Sequence, residues 1–408
     1  MANVTYNIRI HGHGCGLFSV FLAASSFSLI CIPANADNAF RHPGVFLDES
    51  GMEATRQALV RKEPAKLRAL EQVLASPLAK LDYTPSPVEK VTCGPHSKPD
   101  VGCKAEVRDA QAAYTHALLW AYQRDVRHAR TAIAIMNTWS NTLTGRHSGG
   151  NASLQAAWAA QMWTRAAEIV RHTSKEWREV DARHFGSWLV DQYLSDINRM
   201  GPCLNGNWQA SAIEAEMGIG VYTDRRDIYE RAVARWRAQL PAYVYLPSDG
   251  RVPRSKPGCN APVTETWFKQ TVFVAGIAQE TCRDLRHTAF GLAAFFNAAE
   301  TNRLQGGSLY RDEADRLQQA MEFQTGIQDG RPTPKWLCGG RLDSSLAGTF
   351  EVGYAQFNGR MGRPMTNTRR WLEGQGGAMG TKHFLWESLT HGIDRMPERV
   401  ETLRPSSD

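Results

Sequence analysis

The sequence predicts one all-α domain, and three observations support this. Apolar residues recur at three- and four-residue steps through most of the chain, strand-like alternation is nearly absent, and no low-complexity linker divides the chain. About ten helices joined by loops favour successive helical hairpins in a single domain. We therefore expect an (α/α) toroid, an incomplete α/α barrel.

The helices are predicted in chain order from this periodicity. Residues 107–121 and 154–169 each carry one apolar stripe. Similar patterns predict further helices near residues 53–75, 126–140, 184–198, 208–221, 226–240, 270–281, 286–301, 312–327 and 384–392. The spacing is too irregular for tetratricopeptide or HEAT repeats, which argues against a solenoid.

Composition narrows the function classes. The 408 residues are 42% hydrophobic and 22% charged, which fits neither a disordered chain nor a coiled coil. Lys plus Arg number 47 and Asp plus Glu 41. This surplus suits an acidic ligand but is too small to indicate a nucleic-acid partner.

The N-terminus reads as a secretory signal peptide. Arg9 is the only full charge before Ala36, and residues 15–32 are apolar or small and lead to an A-x-A site ending at Ala36. We expect residues 1–36 to be removed and residues 37–408 to form the domain. No later apolar run is long enough for a membrane span, so we expect a secreted or periplasmic protein.

Six cysteines remain in the expected mature chain, and an oxidising compartment favours disulfides. Cys93 and Cys103 bracket a Gly/Pro-rich loop, so this short bridge is the pairing we expect. The other pairings stay open. No pair has zinc-finger spacing, and we expect no metal or other cofactor.

Long loops rich in Pro and Gly are the expected binding segments. They are residues 82–104, 244–264, 328–348 and the Gly-rich 374–380. The second loop carries Arg251, Arg254 and Lys256 against Asp249. These charges either meet an anionic ligand or are simply solvated.

Two segments at helix starts carry candidate chemistry. Asn207 is either an N-cap or a donor to a substrate carboxylate, and Trp208 either stacks on a sugar or fills the core. The run Arg283-Asp284-Leu-Arg-His287 crowds charges at the start of an apolar helix. Arg283 either forms a structural ion pair or stabilises charge, and His287 is suited to proton transfer unless hydrogen bonds merely satisfy it.

A third segment contains Tyr354, Gln356 and Arg360. A tyrosine near an arginine has its phenol pKa lowered and can exchange a proton, although a core tyrosine is the alternative. Motifs of zinc proteases, α/β-hydrolases, P-loop proteins and Rossmann folds are absent from the sequence.

Taken in order, these segments resemble the alginate-lyase-like polysaccharide lyases, most closely the branch that includes glucuronan lyases. The resemblance rests on N-W at 207–208, E-T-C-R-D-x-x-H-T at 280–288 with G-L at 291–292, and E-x-x-Y with Asn-x-Arg at 351–360. It covers residues 105–392.

The resemblance implies an (α/α) toroid whose groove cleaves a 4-linked polyuronate, glucuronan or alginate, by β-elimination. It implies that Asn207 helps to neutralise the uronate carboxylate, with Arg283 and Arg360 supporting the charge. It implies that His287 is either the base or a partner of that carboxylate, and that Tyr354 protonates the leaving oxygen and is also a candidate base. Trp208, Gln356, Arg360 and Arg254 are the expected substrate contacts. An acidic polysaccharide is the expected partner, with no nucleic acid.

Two alternatives stay open. A glycoside hydrolase on the same fold would need two facing carboxylates, and its candidates are Glu214, Glu216, Asp224 and Glu280. A non-catalytic glycan-binding protein agrees with Gln356 and Phe357, which stand where similar lyases tend to have histidine and tyrosine.

Overall fold

A computed structural model describes residues 39–346, 350–374 and 384–393. The expected signal peptide and its cleavage site lie outside these residues, as do residues 375–380 of the expected Gly-rich loop. The chain divides into two compact units, Met1–Ala39 and Phe40–Asp408, and the described fold belongs to the second. Among the described helices, none is both long enough and apolar enough to cross a membrane.

Helices dominate the described residues, as predicted. Strands are confined to a two-stranded antiparallel pair, β1 (Thr92–Cys93) and β2 (Asp100–Val101), in the part of the chain that the structure describes. The helices are α1 (Glu49–Val60), α2 (Pro64–Leu74), α3 (Cys103–Gln123), α4 (Val126–Thr142), α5 (Ala152–Thr173), α6 (Glu179–Trp188), α7 (Ser195–Ile197), α8 (Gly206–Tyr222), α9 (Arg226–Tyr243), α10 (Val263–Thr266), α11 (Leu285–Leu304), α12 (Leu309–Asp312), α13 (Ala314–Gly326), α14 (Glu351–Tyr354), α15 (Thr366–Gly374) and α16 (Glu387–Thr390).

Helices α3, α5, α8 and α11 form an inner layer and run parallel. At one end Gln155 of α5 donates to the Cys103 carbonyl of α3 (2.9 Å), and at the other end Trp120 of α3 donates to Thr173 of α5 (2.9 Å). Helices α4 and α9 return on the outside. The N-terminal ends of the inner helices therefore meet at one end of the fold, which we call the mouth, and their C-terminal ends meet at the rear.

Helix α8 shows why the inner layer is buried on all sides. Every residue of α8 except Trp208 is buried, because small and apolar residues occupy all faces of the helix. A Cβ at Gly218 would lie 2.5 Å from the Thr164 hydroxyl, and one at Gly220 would lie 2.7 Å from the Tyr229 backbone nitrogen. These two glycines allow α5 and α9 to approach α8 closely.

Three of the expected helices differ in the structure, and the one at residues 384–392 is reduced to the single turn α16. Residues 270–281 form turns and extended backbone, because Val244 and Ala278 pair across a β-bridge and Gly276 adopts a φ of +87°. This tertiary pairing overrides the local apolar pattern. The expected helix at 53–75 is two helices, α1 and α2, because Pro64 begins a new helix and has no N–H to continue the first.

Three disulfides fasten loops to the mouth. The expected Cys93–Cys103 bridge is confirmed, and Cys203–Cys259 and Cys282–Cys338 are also bonded. Each bridge has one cysteine at, or a few residues before, the start of α3, α8 or α11. The long loops are therefore tied to the ends of the inner helices.

Residues 40–48, which we call the N-terminal strap, cross the rear. Phe46 is buried there, and the Arg165 guanidinium of α5 lies 3.7 Å over its ring. The Phe46 backbone N–H donates to the Thr301 hydroxyl of α11 (3.1 Å). The strap therefore closes the rear of the inner layer.

Candidate active site

A His-Asp pair lies at the mouth, at the start of α11. Asp284 is the N-cap of this helix, and its carboxylate accepts the His287 backbone N–H (2.8 Å). The same carboxylate lies 2.6 Å from Nδ1 of the His287 imidazole. One carboxylate therefore fixes both the helix start and the ring, and the ring's Nε2 is left for chemistry on a ligand.

The surroundings of Asp284 favour its ionised form. Burial by itself raises the pKa of this carboxyl group, but the hydrogen bonds from His287 and the charges of His287 and Arg283 outweigh burial and leave the pKa lowered. Asp284 is therefore ionised at neutral pH. An ionised Asp284 favours the His287 tautomer that carries a proton on Nδ1, which leaves a lone pair on Nε2.

The buried Glu280 carboxylate joins the two helix starts. Its Oε1 accepts from the Asn207 side-chain amide (2.7 Å) and from Arg283 (2.8 Å), and its Oε2 accepts the Asn207 backbone N–H (2.9 Å). The Tyr243 hydroxyl also lies 3.3 Å from Oε2. Glu280 thus brings Asn207 and Arg283 beside His287.

Exposure divides this cluster into two layers. The side chains of Arg283 and His287 are 28% and 29% exposed, whereas Asn207 and Glu280 are fully buried. The N-cap interpretation of Asn207 is wrong, because α8 begins one residue earlier with Asn205 as its N-cap. Asn207 instead helps to hold Glu280, and through it the guanidinium of Arg283.

Aromatic rings pack beneath the mouth beside His287. The Phe290 ring lies 5.8 Å from the His287 ring, 6.2 Å from Trp158 and 5.4 Å from Phe384, and all three aromatic side chains are buried. Trp208 is partly buried and packs against the small cluster that contains Trp158. Among these four aromatic residues, Trp208 is the one with an exposed part that a ligand can contact.

The loop that follows α9 brings cations to the same end. Lys256 is buried and donates to the Leu204 carbonyl just before α8 (3.1 Å). Burial lowers the pKa of Lys256, while the charge of Glu280 acts in the opposite direction. Arg254 is 58% exposed and is paired with Asp249 (2.8 Å). The Cys203–Cys259 bridge ties this loop to the start of α8.

The third predicted segment lies deeper in the fold. Tyr354 is 2% exposed, and its neighbour Gly353 faces Phe296 near the middle of α11. Phe296 comes nine residues after His287, a rise of about 13 Å along an α-helix. The contacts of Gly353 therefore place the backbone at Tyr354 beside the middle of α11.

Gln356 and Arg360 lie at the rear. They follow α14 in a π-helical turn, and Arg360 pairs with Gln356 (3.1 Å) and with Glu300 near the end of α11 (3.3 Å). Arg360 lines a cavity of about 440 Å³ that also contains Arg303. The structure does not bring these two residues to the mouth, because the order of segments along the chain does not fix their depth.

The carboxylates considered for a hydrolase do not form a facing pair. Glu214 binds Arg165 in the interior (2.5 Å), whereas Glu216 binds Arg235 of α9 (2.5 Å). Asp224 lies at the rear end of α8, and Glu280 is engaged as described above. The described geometry therefore disfavours the hydrolase alternative.

Sequence reasoning missed the linking role of Glu280 and Tyr243. The sequence presents Glu280 as part of the 280–288 motif and as a candidate hydrolase acid, and its position three residues before Arg283 is a usable signal for an ion pair. Tyr243 gave no such signal, because it approaches Glu280 only after α9 has folded back against α11.

Comparison with known proteins identifies the family. The sequence profile described as alginate lyase matches residues 93–331, which include Asn207, Arg254, Arg283 and His287 and end before Tyr354. No match was found among curated protein sequences.

Three solved structures share the fold. An alginate lyase from Bacteroides ovatus is 12% identical, with a TM-score of 0.58 over 82% of this chain and 97% of that one. A histidine-to-alanine variant of alginate lyase A1-III complexed with a tetrasaccharide is 13% identical, with a TM-score of 0.59 over 87% and 99%. Alginate lyase A1-III from Sphingomonas species A1 is 14% identical, with a TM-score of 0.57 over 86% and 99%. The predicted (α/α) toroid is confirmed, and the chain belongs to the alginate lyase family of polysaccharide lyases.

Proposed function

We propose that this protein cleaves a 4-linked polyuronate, of the alginate or glucuronan type, by β-elimination at the mouth. The observation that carries the proposal is the imidazole of His287, held by Asp284, beside the partly exposed guanidinium of Arg283. The family supports an acidic polysaccharide, and one similar structure, alginate lyase A1-III, is complexed with a tetrasaccharide.

The charges at the mouth favour the binding of a polyanion. The N-terminal ends of four parallel helices point to it, and each end carries a partial positive charge. The partly exposed Arg283 and the exposed Arg254 add full charges. We assign Trp208 and Arg254 to substrate binding, with the partly exposed ring of Trp208 receiving a sugar face.

β-Elimination requires a stabilised carbanion. The proton on C5 of a uronate is only weakly acidic, so a cation must neutralise the adjacent carboxylate as the proton leaves. We assign this role to Arg283. The Glu280 carboxylate holds the guanidinium of Arg283 in place, and the buried side-chain amide of Asn207 in turn supports the Glu280 carboxylate.

His287 transfers the proton. Its Nε2 accepts the C5 proton, the C4–O4 bond breaks, the electron pair forms the C4=C5 double bond, and O4 takes up a proton. In a syn elimination one imidazole serves both steps, because C5–H and O4 lie on the same side of the ring. In an anti elimination a second donor protonates O4, and Tyr354 remains the residue we propose for that role.

Export is part of the same proposal. A polysaccharide substrate lies outside the cytoplasm, and the three disulfides agree with an oxidising compartment. We propose that residues 1–36 direct secretion or transfer to the periplasm. N-terminal sequencing of the exported protein tests this, and a mature chain that still begins before Ala36 would contradict the cleavage site.

The test is incubation with polymannuronate, polyguluronate and glucuronan while the ultraviolet absorbance of the unsaturated product is followed. We expect absorbance to rise on at least one polymer, and His287→Ala to abolish the rise while His184→Ala, on the outer helix α6, leaves it unchanged. Folded protein with no rise on any polyuronate would contradict the proposal.

A second candidate is a glycan-binding protein without catalysis. The observation that favours it is the burial of Tyr354, which is 2% exposed. This candidate predicts that a polyuronate binds without any rise in absorbance, and that His287→Ala changes affinity alone.

A further inference from the structure

Three segments that are distant in the sequence meet at the rear of the fold. His42 belongs to the N-terminal strap, Glu168 and His172 lie one turn apart on α5, and Asp224 follows α8. The His42 Nδ1 atom lies 3.0 Å from a Glu168 carboxylate oxygen, and the His172 Nε2 atom lies 3.5 Å from the same oxygen. Three ligand atoms of His42, Glu168 and His172 all lie within 4.8 Å of one another.

This set of side chains has the chemistry of a zinc site. Two imidazoles and a carboxylate are ligands that Zn²⁺ prefers, whereas Ca²⁺ and Mg²⁺ prefer oxygen ligands alone. With metal–ligand distances of about 2.0–2.2 Å, tetrahedral ligands stand roughly 3.3–3.5 Å apart. The separations of 3.0 and 3.5 Å around the shared Glu168 oxygen are close to this spacing.

The surrounding contacts orient the ligands as zinc requires. Nε2 of His42 lies 3.2 Å from Asp224, so an Nε2–H that donates to Asp224 leaves the lone pair of Nδ1 on the side of Glu168. Glu168 is fully buried, and its other oxygen accepts the backbone N–H of Gly44 (2.8 Å). Asp224 and Gly44 thus hold the ligands from outside.

The two imidazole rings stack 4.3 Å apart with an interplanar angle of 12°, beside a single buried carboxylate. Parallel rings direct their lone pairs along parallel lines, so a rotation of the His172 ring is needed to bring its Nε2 lone pair onto an ion shared with His42. Both rings are partly exposed, so an ion from solvent can reach them.

We propose that His42, Glu168 and His172 bind a zinc ion and that the ion pins the N-terminal strap across the rear of the toroid. Asp224 orients His42, and water completes the coordination. The strap lies at the very start of the expected mature chain, so one ion links its first residues to α5. The site lies at the end of α5 remote from the His-Asp pair and has no part in the proposed elimination.

The first experiment measures zinc itself. The exported protein is stripped with a chelator, dialysed against micromolar Zn²⁺ and analysed for bound metal. We expect one zinc per chain, and His172→Ala, a partly exposed position where folding should persist, to abolish binding, whereas the matched control His184→Ala retains it. No retained zinc in folded protein, or zinc retained by His172→Ala, would overturn the site.

The second experiment tests the pinning. Zn²⁺ should raise the thermal midpoint of the wild-type protein and slow proteolysis within residues 40–48, and neither effect should occur in His42→Ala or His172→Ala. Bound zinc with unchanged midpoint and unchanged proteolysis of the strap would overturn the pinning. Polyuronate cleavage is not used as a readout, so failure of this proposal is distinct from failure of the proposed lyase activity.

Discussion

At the scale of single residues, the chemistry depends on how Asp284 and Glu280 hold their partners. Asp284 fixes the imidazole of His287, and Glu280 fixes the guanidinium of Arg283. Neither carboxylate needs to touch the substrate. Both are positioning residues, and their removal should affect turnover more than folding.

Asp284→Asn tests the first of these roles. Asparagine is as good an N-cap as aspartate, so α11 should still begin at the same place. The ring of His287 loses its charged partner, and we expect kcat to fall about 10²–10⁴-fold with a nearly unchanged KM. An unchanged kcat in the folded variant would contradict the positioning role.

The variant Tyr354→Phe distinguishes between syn and anti elimination. If His287 serves both proton transfers, this variant keeps most of its activity, because only a buried hydroxyl is lost. If Tyr354 protonates O4, kcat falls by about 10²-fold or more. Since Tyr354 is 2% exposed, we expect the smaller effect, measured as initial rates on the best polyuronate.

At the scale of elements, a buried ion-pair network ties the loop after α4 to α3 and α7. His147 is fully buried and lies 2.8 Å from Glu106 and 2.9 Å from Asp196. Burial by itself lowers the pKa of His147, but the two carboxylates outweigh burial and raise the pKa to about 9. The protonated imidazole therefore stabilises the folded state.

This network predicts a pH dependence of stability. Because the folded pKa lies above the ordinary value of about 6.5, the contribution is complete below about pH 6.5 and is lost as the pH rises through about 9. Its size is on the order of 3 kcal/mol. Urea unfolding should give a lower free energy at pH 9.5 than at pH 6.5.

His147→Gln is the matched variant for that measurement. Glutamine keeps a donor but cannot become charged, so the variant should be less stable at pH 6.5 and its stability should change less between the two pH values. An equal pH dependence in the wild type and the variant would contradict the assignment to His147.

The disulfides act on loops at this scale as well. The Cys203–Cys259 bridge holds the loop of Lys256 and Arg254 against the start of α8. Replacing both cysteines by serine should lower stability by about 4 kcal/mol and raise KM for the polymer. Equal KM values for the Cys203–Cys259 variant and the wild type would contradict a binding role for the loop of Lys256 and Arg254.

The Cys93–Cys103 pair closes a shorter loop, and its double serine variant should lose about 3 kcal/mol of stability.

At the scale of the whole molecule, the fold was more predictable than the site. Apolar periodicity predicts the outer helices α4 and α9 because one face of each is buried, and it also finds α8, although that helix is buried on nearly every face. It fails at residues 270–281, where pairing with the chain after α9 decides the conformation. The depth of Tyr354 and the approach of His42 to Glu168 depend on packing between distant segments, which no local pattern records.

The N-terminal ends of the parallel inner helices place partial positive charges at the mouth. Added salt screens such a field, so we expect KM for the polymer to rise steeply between low and physiological ionic strength while kcat changes little. A trisaccharide should show a smaller change, because fewer carboxylates interact with the field. A KM for the polymer that is independent of salt would contradict electrostatic capture at the mouth.

The central claim is that the His-Asp pair at the mouth breaks a uronate linkage by elimination. Mass spectrometry of the products formed from a defined oligouronate tests it most directly. We predict fragments with an unsaturated uronate at the new non-reducing end, one water lighter than the products of hydrolysis, and none from His287→Ala. Saturated ends from the wild-type protein, or unsaturated products undiminished in His287→Ala, would contradict the account.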